Sequence, residues 1–356
     1  MIRIWIHGAS VGDMRSIEPL FAQIIETEPA WKPMVTAWTD GGRRLGRTLY
    51  GQAFIGRPPL PIRSAVKRFI KKYQIELVIL EYLELYPAWV DVCHDLGIPI
   101  AILNGRVSQK SLRIRRLLSR CARKVSLFCA RTTEDANAAI QLGVCESVVH
   151  VTGNGKYDGL AVLPQLNKRL LSAQYGSPNV VIGSLHPDEE SAAVDALART
   201  DLRAIVAPRY VSQTKRLKRR LQRLGLIASR ESRNEQPARV HLLDTYGQLA
   251  AVYGTSNRTI VGGTFGRRGG QNLFEAALHN NIVIHGPSTS NVQAEVDLFR
   301  SHGAYLAEDW TMAFSLVQAE LPPSNLRQVA LSLRGATMIN IDLVRQLTHR
   351  FSTPNA

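Results

Sequence analysis

Short apolar runs recur along the chain, and each is followed by a stretch in which apolar residues return every third or fourth position. That rhythm predicts parallel strands covered on both faces by helices. In the first half the runs are Ile2 to His7, Met34 to Trp38, Leu77 to Leu80, Ile98 to Leu103, Leu127 to Ala130 and Val148 to Val151. In the second half they are Val180 to Gly183, Ala204 to Ala207, Arg239 to Leu243, Thr259 to Val261, Ile282 to Ile284 and Ala304 to Leu306. Between the halves, Gly159 to Asn179 interrupts the rhythm with Pro164 and the turn-rich Tyr175-Gly-Ser-Pro-Asn. The expected organisation is therefore α/β, with two Rossmann-like domains at residues 1–160 and 179–356 joined by a linker at 161–178. Ligands of open parallel sheets bind outside the carboxyl ends of the strands, so the two domains are expected to face a central cleft.

The 356 residues exceed what one core usually organises, which fits two domains. A net charge of +15 implies an anionic partner, and ten of those excess charges fall in the first 170 residues. Cys93, Cys121, Cys129 and Cys145 lack metal-ligand spacing and read as buried reduced thiols. The chain opens on a strand pattern, and no run is long and apolar enough to cross a membrane.

The chemistry-bearing residues stand where strands end. His7-Gly-Ala-Ser-Val-Gly-Asp13 closes the first run, and a helix is predicted over Ser16 to Glu26. Asp13 is either a carboxylate favoured by a helix N-terminus or a general base, with Gly8, Ala9 and Gly12 allowing close approach. Gly262-Gly-Thr-Phe-Gly-Arg-Arg-Gly-Gly-Gln-Asn-Leu-Phe-Glu275 follows another strand and precedes a short helix. Its glycines are expected to turn backbone N–H groups toward an anion, although it is neither a Walker A loop nor a GxGxxG. Glu275 is either structural or an acceptor for a ribose diol, and Ile284 to Asn291 is expected to line the same pocket. Ser184, His186 and Arg209 follow strands nearby, and an arginine there suits a phosphate. In the first half, Glu84 reads as a supporting carboxylate, and Arg106 and Lys110 as partners for an acidic sugar or lipid phosphate.

Arg113, Arg115, Arg116, Arg120, Arg123 and Lys124 interleave with Ile114, Leu117 and Leu118, which suits an anionic membrane surface. The second basic run, Lys215 to Arg220, reads as a solvated helix face. Neither run carries an RNA- or DNA-binding signature, so no nucleic-acid partner is expected.

These residues resemble the bacterial Kdo transferase family, which moves 3-deoxy-D-manno-octulosonic acid (Kdo) from CMP-Kdo to lipid A precursors. The resemblance rests on Trp5-Ile-His-Gly-Ala-Ser-Val-Gly-Asp, Glu84-Leu-Tyr-Pro, Asn104-Gly-Arg-Val-Ser-Gln-Lys-Ser, Thr152-Gly-Asn-Gly-Lys-Tyr-Asp158, Pro208-Arg and Gly262 through Glu275, in the family's order. It implies a GT-B inverting glycosyltransferase with no cofactor and no metal, acting in lipopolysaccharide biosynthesis. Asp13 takes the place of the base, where the family usually has Glu. The CMP site falls on Arg209, Gly262, Gly263, Gly269, Gly270, Asn272 and Glu275, with Ser184 and His186 nearby. The chain departs from the family pattern at Asp13, Tyr82, Lys110, Tyr210 and Gln271, and the family's N-terminal membrane anchor is expected to be missing. The expected partners are a nucleotide-sugar donor, an anionic lipid acceptor and the inner-membrane surface, with the protein cytoplasmic and peripheral to that membrane. The alternatives are a GT-B relative using a UDP-sugar, and a non-catalytic basic protein that binds lipid or nucleic acid.

Overall fold

A computed structural model describes residues 1–160, 174–175 and 177–352, the side chains of Gln109, Lys110, Leu160 and Ser352 excepted. Two compact units emerge, Met1–Gly159 with Leu333–Ala356, and Leu160–Ser332. Most of the linker expected at 161–178 lies outside the described residues.

The first unit is built on a seven-stranded sheet: β1 (Ile2–Gly8), β2 (Trp31–Ala37), β3 (Phe54–Gly56), β4 (Leu77–Glu81), β5 (Ile100–Gly105), β6 (Leu127–Ala130) and β7 (Val149–Val151). All pairings are parallel, in the order β3-β2-β1-β4-β5-β6-β7. Alternate residues explain why the strands read as continuous apolar runs. Trp5, Val78, Leu80 and Ile102 enter one core, while Ile4, Ile6, Ile79 and Leu103 enter the other. A sheet buried on both faces has no polar side to show.

The second sheet comprises β8 (Val180–Leu185), β9 (Ala204–Pro208), β10 (Ala228–Arg230), β11 (Val240–Leu242), β12 (Arg258–Val261), β13 (Ile282–His285) and β14 (Ala304–Leu306). It is again parallel, in the order β10-β11-β9-β8-β12-β13-β14. Each sheet reverses its winding once, between β1 and β4 and between β8 and β12. At those points the crossovers diverge and leave room for a ligand.

The sequence assigned everything from residue 179 onward to the second domain, and the structure corrects this. The helix Ala336–Ser352 belongs to the first unit, because Ile341, Val344 and Leu347 pack with Ile4, Ile6, Met14 and Ile17. Asp158 fixes its start by accepting the N–H of Gly335 at 2.7 Å and of Thr337 at 2.8 Å. Arg345 Nε donates to Glu28 at 3.0 Å. Of the four cysteines, Cys93, Cys121 and Cys129 are buried, but Cys145 is exposed. No helix among the described residues is long and apolar enough to cross a membrane.

Candidate functional site

In the first unit the registers His7 against Leu80 and Leu80 against Ile102 align the carboxyl ends of β1, β4 and β5. Asp13 follows β1 as the third residue of the helix Val11–Thr27. That helix forms because Met14, Ile17, Leu20 and Ile24 give it one buried stripe. The Ser10 N–H donates to Asp13 Oδ2 at 2.6 Å, so Asp13 is a capping residue as well as a candidate base. Asp13 is half-buried, and burial pushes its carboxyl above the ordinary value while hydrogen bonds from Ser10 and Ala9 pull it back.

Glu81, at the end of β4, was not singled out from the sequence. It is 1% exposed, and burial pushes its carboxyl up to about 8, against hydrogen bonds with Ser16 and Asn104. Asn104 Nδ2 donates to Glu81 at 2.9 Å and contacts Ser16 Oγ at 3.3 Å, while Asn104 Oδ1 accepts the Gly155 N–H at 2.7 Å. Glu84 is raised by burial, and the charge of Asp13 adds to the rise. Asp13, Glu81 and Glu84 thus form one electrostatic neighbourhood. A cation stands near it: Arg131 is bonded to Asp135 at 3.1 Å and lies 5.9 Å from the Tyr82 ring.

Tyr82 (φ 58°) and Asn104 (φ 51°) both adopt the left-handed backbone region directly at strand ends. Such conformations cost of order 1 kcal/mol each in a non-glycine residue and cluster at binding sites. Arg106 follows β5 and is exposed; the side chain of Lys110 lies outside the described residues.

In the second unit the register of Gly183 against Val261 brings Ser184, Leu185 and His186 beside Gly262. Ser184 is another left-handed non-glycine, with φ 56°. Here the structure corrects the expected role of the glycine loop, because the N–H groups of its five glycines are already engaged. Gly262 N–H donates to Gly183 O at 2.8 Å, Gly269 N–H to Ser288 Oγ at 3.0 Å and Gly270 N–H to Gly263 O at 2.9 Å. Gly263 N–H donates to Glu189 at 2.7 Å.

Glu189 is, with Glu81, a residue that sequence reasoning missed. Its carboxylate is 2% exposed and accepts four backbone N–H groups: His186 at 3.1 Å, Gly263 at 2.7 Å, Phe265 at 2.7 Å and Gly266 at 3.1 Å. The anion that the loop cradles is therefore internal. Glycine is still required, since Gly263, Gly269 and Gly270 have φ of 76°, 77° and 97°. The next helix, Phe274–Ala277, is a single turn. Asn272 Oδ1 accepts its Phe274 N–H at 2.9 Å, and Asn272 Nδ2 donates to Glu275 at 3.2 Å. Ser288 N–H bonds Thr264 O and Asn291 N–H bonds Gly269 O, so the segment after β13 is joined to the loop.

What the rigid loop presents is a set of side chains. His186 is 3% exposed, burial holds its imidazole below the usual range, and its Nδ1 has no hydrogen-bond partner among the described residues. The Tyr210 ring meets it edge-on at 5.9 Å, and Gln271 Nε2 lies 3.4 Å from its Nε2. Arg209 is exposed, its N–H held by Leu185 O at 2.8 Å, and its charge also lowers His186. A neutral imidazole beside an exposed guanidinium can receive a phosphate.

Residues 2–159 match the family described as 3-deoxy-D-manno-octulosonic-acid transferase (kdotransferase). The 3-deoxy-D-manno-octulosonic acid transferase of Bordetella pertussis is 28% identical over 342 residues, covering 87% of this chain and 78% of its own. That of Chlamydophila psittaci is 26% identical over 311 residues, covering 83% and 71%. Among solved structures, a putative UDP-N-acetylglucosamine 2-epimerase from Listeria monocytogenes superposes with a TM-score of 0.70 over 99% of this chain and 98% of its own. At 10% identity that likeness bears on the fold alone.

Proposed function

The chain belongs to the 3-deoxy-D-manno-octulosonic-acid transferase family, and from that premise we propose that it moves Kdo from CMP-Kdo to a lipid A precursor or similar anionic lipid. It is a glycosyltransferase with two Rossmann-like units of the GT-B class. The observation that carries the mechanism is a half-buried carboxylate with a raised pKa, Asp13, at the winding reversal of the first sheet. A group so placed accepts a proton more readily than an exposed aspartate.

The acceptor hydroxyl oxygen bonds to the anomeric carbon of the donor as the bond from that carbon to the phosphate oxygen breaks. The electron pair leaves with CMP, the hydroxyl proton passes to Asp13, and the anomeric configuration inverts. Arg209 offsets the charge that grows on the departing phosphate, and neutral His186 contributes a hydrogen bond. Glu275 takes the ribose hydroxyls, while Glu84 and Arg106 serve the acceptor side. The chemistry assigned to these side chains calls for no metal.

The helix Arg115–Ala122 and its approach supply the membrane contact. Leu117 is 73% and Ile114 44% exposed, among the exposed Arg113, Arg115, Arg116, Arg120 and Arg123. Apolar side chains flanked by cations suit the boundary of an anionic bilayer. Arg120 and Lys124 differ from the rest of that run, because both are paired with Asp91.

CMP release tests the reading directly. Release should require both CMP-Kdo and a lipid A precursor, and Asp13→Ala should lower it by about 10²–10⁴-fold. Undiminished release by that variant, or protection against thermal unfolding by UDP but not CMP, overturns the assignment.

A further inference from the structure

The second basic run is not a plain solvated face. In the helix Thr214–Arg223, Thr214, Leu217 and Leu221 are buried against the second core. Arg216, Arg219, Arg220 and Arg223 follow the spacing i, i+3, i+4, i+7 and so form one stripe on the other side. With Glu190 and Ser191 they enclose an open pocket of about 350 Å³. Arginines that serve solubility alone have no need to converge on a shared volume.

The charge around that volume does not balance. Arg216 Nη2 donates to Glu190 Oε2 at 2.7 Å and to Gln213 at 3.3 Å. Arg220 Nη2 donates to Asp195 at 3.1 Å and to Ser191 Oγ at 2.5 Å. Arg219 and Arg223 make no hydrogen bond or ion pair among the described residues, and they stand four positions apart, where like charges repel. Two carboxylates thus face four guanidinium groups. Glu190 is 5% exposed with Oε1 unpartnered, so the pocket wall already contains a buried carboxylate held for its grip on Arg216. Its hold on one nitrogen leaves the rest of that planar fork uncommitted, a geometry that matches phosphate oxygens.

We propose that this pocket binds a phosphomonoester, carried either by a soluble phosphate ester or by a phosphorylated lipid headgroup. The site lies outside the residues assigned to the sugar donor, and its existence does not depend on that assignment. Its volume accommodates a phosphate with a small organic substituent.

The test compares the full chain with an Arg219→Ala, Arg223→Ala double variant and, separately, with Arg209→Ala. Both double-variant positions are exposed and unpartnered, so folding is expected to survive. Glycerol 3-phosphate is titrated by calorimetry, and co-sedimentation with phosphatidylcholine vesicles doped with phosphatidic acid is run on the same variants in an Arg115→Ala, Arg116→Ala, Leu117→Ala background, which removes the membrane contact proposed above. The double variant should weaken binding by about tenfold or more while Arg209→Ala leaves it unchanged. Loss in the calorimetric arm identifies a soluble ester as the ligand; loss in the vesicle arm alone identifies a headgroup. Absence of binding to both probes, or binding that the double variant retains, overturns the proposal, as does binding abolished by Arg209→Ala.

Discussion

Glu189 and Gly263 stand 74 positions apart, and the glycine N–H donates to the buried carboxylate at 2.7 Å. With three further amides on the same carboxylate, this bond makes the glycine loop a fixed surface rather than a mobile flap.

Glu189→Ala should therefore destabilise the second unit by about 3 kcal/mol or more, since each buried amide left without an acceptor costs about 1–3 kcal/mol. Thermal unfolding measures the loss. Protection by CMP should weaken in parallel, although the proposal puts no substrate on Glu189.

Asp13 has two separable roles. Asp13→Asn keeps an oxygen for the Ser10 N–H and should fold like the unmodified chain, yet lower CMP release by about 10²–10⁴-fold. Asp13→Ala should show the same loss and also weaken the helix start by about 1 kcal/mol. Equal stability of the two variants would mean that the 2.6 Å capping bond is inconsequential.

The pH dependence of activity follows from the same group. The base works only when ionised, so CMP release should fall as pH drops through the pKa of Asp13, which burial raises above 3.8. A rate that stayed flat down to the ordinary aspartate range would show that another group accepts the proton.

Glu81 gives a stability signature with the opposite dependence. Its folded pKa of about 8 exceeds the unfolded 4.5, so its contribution is fully present below 4.5 and is lost as pH rises through about 8. Within that window stability should decline by up to about 1.4 kcal/mol per pH unit, and Glu81→Gln should flatten the decline. The unfolding midpoint of both proteins across the window decides the matter.

Gly262 contrasts with Gly12. A Cβ on Gly262 would stand 2.6 Å from Ser184 O and 2.8 Å from Leu185 Cα, both backbone atoms that cannot move aside. Gly262→Ala should cost about 2 kcal/mol or more. A Cβ on Gly12 meets only Ser10 Oγ at 3.6 Å, so Gly12→Ala should raise helix stability by about 0.5–1 kcal/mol. Urea unfolding of the pair checks both signs.

The apolar runs announced strands buried along their whole length, such as β6, and also the half-exposed edge strand β14, and the ends of both coincide with the expected ones. The runs missed β3 and β10, three-residue edge strands whose Phe54-Ile55-Gly56 and Ala228-Ser229-Arg230 carry too few apolar positions to stand out. Candidate residues at strand ends were legible because parallel sheets place chemistry there. The partner of Glu189 was not, since an acidic residue before a helix looks the same whether it meets water or four amides. A usable signal exists in hindsight: an acidic helix start after the first strand of a unit, with a glycine-dense loop after the neighbouring strand. The destination of the final helix was equally invisible, because an amphipathic pattern says that one face is buried but not under which sheet.

That final helix has a consequence for synthesis on the ribosome. The second unit interrupts the first, leaving after Gly159 and returning at Leu333, and Asp158 ties the two ends through Gly335 and Thr337. The first sheet consequently waits for the helix Ala336–Ser352 to be translated before the face holding Ile4 and Ile6 is sealed. Chains that stop short at residue 332 should emerge with that face bare and go to proteases or aggregates, even though every strand has been made.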